Sequence, residues 1–561
     1  IKLKKICGNI EDVNIDYISQ DNRNIKDNTA FICIEGNTVD GHSFVESAVK
    51  NGAKLLIASK DISDKAVNVP VVYVKDTLKI MGLLANVLYK CPSEKLFMVG
   101  ITGTNGKTTT SYLINHIFET CNMKTGLIGT IHHKIGNKVI PTKNTTPISV
   151  DLQGLLNEMV VENCKCCVME VSSHALALDR VLGCDFDCAI FTNLSHEHLE
   201  LHKTMENYAN TKELLFTQLG HNLKNGKLKT AILNSEDEYS KRFAEHIPTE
   251  IITYGINDKN ADFFADNISF DDWKMRFDLH FLDEVYKVET NLVGVFNVYN
   301  VLAAICAGYV KGISISNILE ALKSFSGVSG RMEIVQSKEN YKIIIDFAHT
   351  PDGLINVLET LDKVPHNRII TLIGHSGGNR DSSMRPDLGK IALEKSDEVI
   401  FTADNPRNEA ISKIVSELVS DCDKNNYTVV EDRKEAIEYA LKAKNYIKTE
   451  DNKVQVYSYL AWMYDRIEAY DIAEDLLKSI INCKTDPRNE IWIYSELGYC
   501  LGEQHRYEES LESLLKASEM GRNDVWVNSQ IGWTFRILGK YEEALEYFLK
   551  LVEFDEYKND V

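Results

Sequence analysis

The sequence contains no run of apolar residues near the roughly 20 that a membrane-spanning helix requires. It also lacks an excess of positive charge, because 82 acidic residues outnumber 62 lysines and arginines and give a formal net charge of −20. This charge argues against nucleic acid or an anionic membrane as a broad binding partner, although it leaves room for a local basic pocket. No secretory leader opens the sequence, so we expect a cytoplasmic protein.

Two familiar kinds of cysteine and histidine site are missing as well. The 13 cysteines are scattered, and the tightest group, CKCCVME, alternates with apolar residues in the manner of a buried strand. The zinc motif HExxH does not occur; His198 and His202 lie four residues apart with Glu200 between them and no cysteine nearby. We interpret the cysteines as core residues. The histidine segment is a candidate magnesium-phosphate or substrate site, with zinc or an exposed polar helix as alternatives.

The length of 561 residues and the 44% hydrophobic content predict about four domains. Short strand-like runs and one amphipathic helix indicate a small α/β domain over residues 1–93. Apolar strands alternating with helical patterns predict a parallel, helix-covered sheet over residues 94–328. A third α/β set covers residues 329–445, and its strands end in polar residues, where ligands gather at the carboxyl edge of such sheets. Residues 452–561 are amphipathic helix throughout.

The helical region contains a repeat of 34 residues, measured from Gly498 to Gly532. Two copies with the spacing of tetratricopeptide repeats, and a weaker third, are formed by Gly532, Tyr541, Ala544 and Phe548; by Gly498, Tyr507, Ser510 and Leu514; and by Ala461, Tyr470, Ala473 and Leu477. Three such units can bury a continuous core and leave a groove that holds a partner peptide. We therefore predict a protein partner for this region; an ordinary helical bundle is the alternative.

A phosphate-binding loop is the clearest chemical signal. The segment GITGTNGKTT follows the apolar run LFMVGI and precedes the helical pattern SYLINHIF, so the loop has a strand before it and a helix after it. Backbone N–H groups would surround the phosphates of ATP, Lys107 would neutralise them and Thr108 would hold Mg²⁺. Glu170 ends the strand KCCVME and would complete the Mg²⁺ shell.

Eight motifs then occur in a fixed order: GTNGKTT, NTTP, MEVSSHAL, HLELH with TMENYANTK, FNVYN, GRME, DFAHTPD and DNPR. In this order they resemble the Mur ligase family, over about residues 21–441. The resemblance implies a small α/β UDP-binding domain, a central phosphate-loop domain with a mainly parallel sheet, and a truncated Rossmann-like C-terminal domain, here followed by the all-α repeats. It also implies an ATP-dependent ligase of peptidoglycan precursors, which phosphorylates a carboxylate and lets an amine attack the acyl phosphate.

The resemblance assigns residues by motif position. The catalytic set would be Lys107, Glu170, His202 and Lys212. The Mg²⁺ set would be Thr108, Glu170, His202 and Lys212, the last of which is carbamylated in the family, since a carbamate is an anionic ligand and an ammonium is not. The ATP site would be formed by Gly103, Thr104, Asn105, Gly106, Lys107, Thr108, Thr109, Asn297, Asn300, Arg331, Asp346 and His349.

The two other substrates are assigned in the same way. The UDP-linked muramoyl dipeptide, UDP-MurNAc-L-Ala-D-Glu, would contact Asn22, Arg23, Asn37, Thr38, Val39, Asn144, Thr145, Thr146, Ser172 and Arg180. The acceptor amino acid would contact Arg380, Asp404, Asn405, Pro406 and Arg407. In the family, DNPR marks enzymes that add meso-diaminopimelate, whose distal carboxylate suits a bidentate arginine, whereas an arginine would repel the ε-ammonium of L-lysine.

The sequence also departs from the family pattern. Glu197 replaces an aspartate, Leu178 a glutamine and Asn22 a serine, and the family's GKGHE-type loop, which completes the acceptor pocket, occurs nowhere. The leading hypothesis is therefore an active ligase that adds meso-diaminopimelate and is tethered to a partner by its repeats. The alternatives are an impaired ligase that serves as a scaffold, a chimeric chain that acts through its repeats, the same ligase with L-lysine or another diamino acid, and another amide ligase of the superfamily.

Overall fold

The computed structural model describes residues 2–36, 39–65, 67–220, 223–224, 226–271, 273–335, 341–378, 382–422, 426–442, 454, 457–458, 461–462, 464–465, 469–483 and 485–552. The chain divides into two compact units. The first unit contains Ile1–Met332, Phe347–Asn367 and Asn379–Met384, and the second contains Glu333–Asp346, Arg368–Gly378 and Arg385–Val561. The predicted domain boundaries at 93, 328 and 445 remain predictions.

The first unit begins with a five-stranded sheet of order β1-β5-β4-β3-β2, in which only the β1–β5 pair is antiparallel. Its elements are β1 Leu3–Cys7, β2 Tyr17–Ser19, β3 Thr29–Ile32, α1 Val45–Lys50, β4 Leu55–Ala58, β5 Val71–Val74 and α2 Thr77–Leu88, with a 3-10 turn at Gly41–Phe44. Neighbouring residues of one strand face opposite ways, so Phe31 joins one apolar cluster and Ile32 the other. Both faces of this small sheet are therefore covered.

An eleven-stranded sheet follows a 3-10 turn at Pro92–Lys95. Its strands are β6 Phe97–Thr102, β7 Thr125–Ile128, β8 His133–Ile135, β9 Lys138–Ile140, β10 Cys166–Glu170, β11 Cys188–Phe191, β12 Thr230–Asn234, β13 Glu250–Gly255, β14 Phe263–Asp271, β15 Lys274–Phe281 and β16 Glu284–Thr290. The helices are α3 Lys107–Thr120, α4 Ser149–Val161, α5 Ser173–Ala177, α6 Leu199–His202, α7 Met205–Thr217, α8 Glu238–His246, α9 Val295–Lys311 and α10 Ile315–Ser324.

The strand order is β16-β15-β14-β13-β12-β11-β6-β10-β7-β8-β9, and the pairs from β14 to β7 are parallel. Strands β6, β10 and β11 are buried on both faces by helices, which explains their continuous apolar sequences. The prediction of a mainly parallel sheet is confirmed. The sequence analysis did not predict the antiparallel strands at either end, such as β14 and β15, where Phe263 stacks on Phe281 with ring centroids 4.0 Å apart.

The third α/β region contributes β17 Glu333–Val335, β18 Ile343–Ile345, α11 Pro351–Asp362, β19 Ile370–Ile373, α12 Arg385–Lys395, β20 Glu398–Phe401, α13 Ile411–Leu418, β21 Tyr427–Val429 and α14 Arg433–Lys442. Strands β19, β20 and β21 form a parallel sheet, and β18 pairs antiparallel with β17. Helix α11 belongs to the first compact unit and the strands to the second.

Five further helices have bounds Tyr470–Ile480, Pro487–Glu503, Tyr507–Glu519, Val525–Ile537 and Tyr541–Val552. Two glycines of the repeat let paired helices approach closely. A Cβ atom on Gly498 would lie 2.6 Å from the Leu514 side chain, and one on Gly532 would lie 2.7 Å from the Phe548 ring. The repeat spacing in the sequence is therefore a packing requirement. No helix in the described part of the chain combines the length and the apolar character needed to cross a bilayer.

A buried lysine ties the first unit together near Ser93, where the predicted first and second domains meet. The Lys224 ammonium donates to the carbonyl oxygens of Ser93 (2.8 Å), Leu96 (2.9 Å) and Asp185 (2.7 Å) and pairs with an Asp187 carboxylate oxygen (2.8 Å). Removing the ammonium would leave several buried acceptors without their donor, which is costly.

Replacing Lys224 with methionine is therefore expected to lower the free energy of unfolding by about 3 kcal/mol, because the Asp187 carboxylate loses its buried partner. Denaturation by urea, followed by circular dichroism, measures this change. Lys227→Met removes an exposed lysine nearby and should change stability by less than about 0.5 kcal/mol. Equal stabilities of the two variants would contradict a stabilising role for the buried ammonium.

Candidate active site

The phosphate loop, Gly103–Gly106, connects β6 to α3 and requires glycine at both ends. A Cβ atom on Gly103 would lie 1.9 Å from the Thr192 hydroxyl oxygen. Gly106 has φ +86°, and a Cβ atom there would lie 2.4 Å from the Asn300 amide oxygen. Because other residues would collide, the backbone itself lines this turn.

The loop is held from β11 and presents a helix N-terminus. The backbone N–H groups of Thr104 and Asn105 donate to the main-chain and side-chain oxygens of Asn193, both at 2.8 Å. Helix α3 begins at Lys107 with no side-chain cap and no acidic residue in its first turn, where Thr109 is buried. The partial positive charge of this N-terminus suits an anion such as a phosphate group.

Two lysine side chains converge on one backbone oxygen of the loop. The Nζ atoms of Lys107 and Lys212 each lie 2.8 Å from the carbonyl oxygen of Gly103, and Lys107 also donates to the Thr104 carbonyl oxygen at 2.8 Å. Lys212 is 1% exposed, and its Nζ lies 4.5 Å above the centre of the Tyr208 ring. The two amines are thus placed where the negative charge of ATP phosphates would neutralise them.

These surroundings change the acidity of both amines. Burial lowers the pKa of Lys107 below its ordinary value, against the opposing charges of Glu197 and Glu170. Burial, and after it the charge of Lys107, hold the pKa of Lys212 well below its ordinary value of 10.5. A lowered pKa makes a neutral, nucleophilic amine available, and that is the form that reacts with carbon dioxide to give a carbamate.

The carboxylate of Glu170 lies beside the loop and accepts hydrogen bonds from two threonines. Glu170 is fully buried at the end of β10, accepts a hydrogen bond from the Thr108 hydroxyl (2.9 Å) and accepts two from Thr130 through its backbone N–H (3.0 Å) and hydroxyl (2.9 Å). Arg331 donates to the same Thr108 hydroxyl at 3.3 Å. A hydroxyl and a carboxylate at the edge of a phosphate loop are oxygen ligands of the kind that Mg²⁺ prefers, so Thr108 and Glu170 fit that ion.

His202 reaches the same region through Tyr208. The His202 and Tyr208 ring centroids are 4.9 Å apart, and the Tyr208 hydroxyl lies 3.3 Å from the Thr104 hydroxyl. Tyr208 therefore contacts the loop, His202 and Lys212 at once. Among the described residues, no group of three or more histidine, cysteine, aspartate or glutamate side chains is arranged to hold a metal ion, so an ion at this site would depend on the threonine, on a carbamate or on substrate oxygens as well.

Two predicted nucleotide ligands, His349 and Arg331, contact residues of this region. His349 Nε2 is 3.0 Å from a carboxylate oxygen of Glu197, and its Nδ1 is 3.1 Å from the Phe347 carbonyl oxygen. Burial raises the pKa of Glu197, but the hydrogen bond from His349 and the charge of His198 outweigh it and leave the pKa below its usual range. Arg331 lies 4.5 Å from the centre of the Phe347 ring.

Asn297 and Asn300 lie beneath the loop and bind protein atoms. Asn300 accepts a hydrogen bond from the Thr110 hydroxyl (3.3 Å) and donates to Asn297 (2.9 Å), which donates to the Val293 carbonyl oxygen (2.7 Å). These bonds join α9 to α3, the helix that follows the loop. Direct contact of either amide with ATP stays a prediction, as it does for Asp346, which follows β18 in the second unit.

Four residues predicted to hold the peptide part of the substrate are brought together at Glu170. The Thr146 hydroxyl donates to the Glu170 carbonyl oxygen (2.8 Å) and lies 3.4 Å from the Ser172 hydroxyl. Arg180 donates to the Thr146 carbonyl oxygen (2.9 Å), and Thr145 reaches the Thr130 hydroxyl at 3.1 Å. Asn144 lies next to them in an exposed turn.

Three of the predicted UDP contacts lie in loops that adjoin strands of the first sheet. Asn22 donates to the Ser47 hydroxyl at 3.0 Å. Arg23 is exposed and paired with Asp21 at 2.8 Å, and Val39 is exposed. Asn37 and Thr38 lie outside the described residues.

The acceptor motif DNPR lies at the carboxyl edge of the three-stranded sheet. The Ser376 hydroxyl donates to Asp404 at 2.9 Å, and the Gly377 N–H donates to the Asn405 carbonyl oxygen at 2.8 Å. A Cβ atom on Gly377 would lie 2.2 Å from the carbonyl oxygen of Pro406. The loops after β19 and β20 are therefore bound to each other, and Arg407 is exposed with φ +51°. Arg380 lies outside the described residues.

An ion network that the sequence analysis missed supports this loop pair. Arg385 is fully buried, donates to Glu409 at 3.1 and 2.9 Å and to Glu417 at 2.7 Å, and also reaches the Ser376 carbonyl oxygen at 3.0 Å. The hydrogen bond from Arg385, and after it the one from Lys413, lower the pKa of Glu409. The network joins the start of α12 to both loops.

Other supporting residues were also missed. Tyr208 could have been found, because it lies four residues before Lys212 and therefore on the same helix face. No motif marks Thr130, Arg385 or Arg433, because each is distant in sequence from the groups that it binds. Arg433 donates to the Ala403 carbonyl oxygen.

Comparison with known proteins gives matches along most of the chain. Family models described as Mur ligase family catalytic domain, Mur ligase middle domain and Mur ligase glutamate ligase domain match residues 14–89, 101–308 and 330–447. A tetratricopeptide repeat model matches residues 527–557.

Two curated relatives, from Listeria monocytogenes and Bacillus cereus, are named UDP-N-acetylmuramoyl-L-alanyl-D-glutamate–2,6-diaminopimelate ligase. Each is 43% identical to this chain, over 77% of the chain and 87% of the relative. The solved structure of a ligase of that name has a TM-score of 0.58 and 28% identity, covering 76% of this chain and 87% of its own. The Acinetobacter baumannii MurF structure, at 20% identity and a TM-score of 0.56, shares the fold, with 77% of this chain and 87% of its own covered.

The lowered pKa of Lys212 predicts a pH-dependent cost to stability. The folded protein binds fewer protons than the unfolded chain between that lowered pKa and 10.5, so the wild-type free energy of unfolding should rise with pH across this window. In buffer free of metal and bicarbonate, Lys212→Met should be more stable than wild type by about 1 kcal/mol at pH 7, because it removes a buried amine.

This advantage should shrink as the pH approaches 10.5. Urea denaturation at several pH values measures it, and Lys241→Met, at an exposed site, provides the control. A difference between Lys212→Met and wild type that stays constant with pH would show that the Lys212 amine has an ordinary pKa.

Proposed function

Because the chain belongs to the Mur ligase family, we propose that it is the ATP-dependent ligase that adds meso-diaminopimelate to UDP-MurNAc-L-Ala-D-Glu in peptidoglycan precursor synthesis. The single observation that carries the proposal is the convergence of Lys107 and Lys212 on the Gly103 carbonyl oxygen, beside the bonded Thr108–Glu170 pair. A protein that served only as a scaffold would have no use for this arrangement.

The reaction has two steps. In the first, a carboxylate oxygen of the dipeptide substrate attacks the γ-phosphorus of ATP, the bond to the β-phosphate oxygen breaks, and ADP and an acyl phosphate form. In the second, the amine of the acceptor attacks the acyl carbon, phosphate leaves and the amine gives up a proton. Lys107 and the loop N–H groups would stabilise the charge on the transferring phosphoryl group, which is the main task in such reactions.

Thr108, Glu170, His202 and a carbamylated Lys212 would hold Mg²⁺. Held by these residues, Mg²⁺ would supply Lewis-acid neutralisation of phosphate charge. The buried, low-pKa amine of Lys212 supports carbamylation, since a neutral amine is the reactive form and a carbamate would remove the repulsion between Lys212 and Lys107.

The substrate would lie along the first unit. Thr145, Thr146, Ser172 and Arg180 would hold the peptide part near Glu170, where their mutual hydrogen bonds support the assignment. The nucleotide end would reach Asn22 and its neighbours in the loops beside the first sheet. A ligase that uses ATP in this reaction would work in the cytoplasm, and the repeat match supports a protein partner for the C-terminal helices.

The test is a product assay. Purified protein is incubated with UDP-MurNAc-L-Ala-D-Glu, Mg²⁺, ATP and either meso-diaminopimelate or L-lysine, and the products are identified by mass spectrometry. We expect amide product with meso-diaminopimelate. Product with L-lysine alone would move the assignment to a lysine-adding ligase, and no product with either amine would leave the scaffold as the better explanation.

Lys107→Ala should reduce turnover at least about 100-fold, because the transferring phosphoryl group loses a charged partner. The rate of ADP release in the same assay measures the change. Lys165→Ala, at an exposed position, provides the control and should keep the wild-type rate. Wild-type turnover by Lys107→Ala would exclude this loop as the ATP site.

Arg407 tests the choice of acceptor. Arg407→Ala should raise the KM for meso-diaminopimelate about 10- to 100-fold, the cost of losing a hydrogen bond between charged groups. Arg407→Lys keeps the charge but lacks the planar fork, so its KM should fall between those of the alanine variant and wild type. An unchanged KM in both variants would remove Arg407 from the acceptor site.

A further inference from the structure

The helical repeats are packed into the third ligase region of the second unit. The segment that joins them, here named the bridging segment, comprises residues 454–465, of which 454, 457–458, 461–462 and 464–465 are described. It stands in the sequence where the family's remaining strand and GKGHE-type loop are absent. The contacts of the bridging segment therefore show what packs near the acceptor motif in place of the absent strand and loop.

One face of the bridging segment is buried. Val454, Tyr457, Ala461 and Tyr464 recur at helical spacing and all belong to one apolar cluster. The same cluster contains residues of α14 and of the next repeat helix, and residues of β18 and β19 pack against it: Ile437, Leu476, Leu477, Ile343 and Leu372. The first repeat and the ligase sheet thus share a core, and neither side can be removed without exposing the other.

Tyr464, the last residue of this face, interacts with charged groups of the acceptor motif and of the start of α14. Arg433, at the start of α14, donates to the carbonyl oxygen of Ala403 at 3.1 Å, next to Asp404. Tyr464 is 6% exposed and interacts electrostatically with Arg433, Asp404 and Asp432. Burial first, and then the two aspartates, raise the pKa of Tyr464 to about 12. Near neutral pH its hydroxyl is therefore protonated and can donate a hydrogen bond.

We propose that the described residues of the bridging segment form part of a wall beside the acceptor amino acid site, and that Tyr464 is a positioning residue that orients the charged groups around Asp404 for the amino acid. This inference rests on the proposed function. The site it describes holds charges of both signs, Arg433 and Arg407 against Asp404 and Asp432, at the carboxyl edge of the parallel sheet. Such a set matches a diamino acid, which carries both ammonium and carboxylate groups.

The wall explains how the chain could dispense with the missing loop. A Rossmann-like sheet that ends early leaves an apolar face and an open edge, and an uncovered face of that kind is unfavourable in water. Here the face is covered by Val454, Tyr457 and Ala461, and Tyr464 extends the cover to the edge where the acceptor would bind. The repeats would therefore serve acceptor binding as well as any partner.

The inference is tested with two conservative variants of the full chain. Tyr464→Phe removes the hydroxyl and keeps the ring; Tyr457→Phe makes the same change two helical turns earlier in the same cluster and is the matched control. Binding of radiolabelled meso-diaminopimelate is measured by equilibrium dialysis with UDP-MurNAc-L-Ala-D-Glu, Mg²⁺ and a non-hydrolysable ATP analogue present. Product formation and thermal unfolding are measured alongside.

Tyr464→Phe is expected to weaken binding of meso-diaminopimelate and raise its KM about three- to tenfold, because a polar hydroxyl is removed from among the charges of Arg433, Asp404 and Asp432. The KM for ATP and the melting temperature should be unchanged. Tyr457→Phe should match wild type in binding of meso-diaminopimelate, in its KM and in the KM for ATP. Its melting temperature shows whether loss of this buried hydroxyl affects stability alone. A larger Tyr464→Ala effect on the same KM is expected, because the ring is lost as well.

The outcomes separate the two proposals. If wild type makes product and Tyr464→Phe binds and uses meso-diaminopimelate normally, the wall is wrong and the ligase stands. If wild type makes no product but binding is still weakened selectively in Tyr464→Phe, the ligase is wrong and the wall stands. Equal weakening in both variants, or no binding of meso-diaminopimelate by wild type, overturns the role of Tyr464.

Discussion

Two amines directed at one carbonyl oxygen are the constraint on which the rest of the site depends. Lys107 and Lys212 both reach the Gly103 oxygen at 2.8 Å, and two positive charges held so close are stable only if one loses its proton or an anion joins them. The loop and the helix N-terminus behind it favour binding of an anion there. The Glu170 carboxylate favours binding of a metal ion.

That constraint explains why several side chains of the first unit hold the loop in place. Thr192 and Asn193, which follow the neighbouring strand β11, hold its backbone. The Asn300 amide oxygen of α9 lies against Gly106, and Tyr208 joins the loop to the helix that carries Lys212. None of these groups transfers phosphate. Their rigidity keeps charged groups in register, so little reorganisation is needed when the transition state forms.

The second unit combines the third ligase region and the helical repeats, which the sequence predicts to be separate domains. A parallel sheet that ends after three described strands has an apolar face to bury. The bridging segment buries this face. The ordinary rule that domains carry their own core therefore fails at this join. It fails because one apolar cluster contains residues of both the ligase region and the first repeat. The helical spacing of Val454, Tyr457 and Ala461 predicts a buried helix face but does not indicate which element packs against it.

The sequence by itself determined the family, the buried parallel strands β6, β10, β11 and β12, the phosphate loop and the repeat spacing. Each depends on local patterns, because buried strands are continuous apolar runs and glycines mark turns and close helix contacts. Only the tertiary structure decided that Thr130 and Arg331 bond the Thr108–Glu170 pair, that Arg385 joins the acceptor loops, and that Tyr464 interacts electrostatically with Asp404. Those residues are far apart along the chain, and contacts between distant residues are set by how whole elements pack, which no local pattern records.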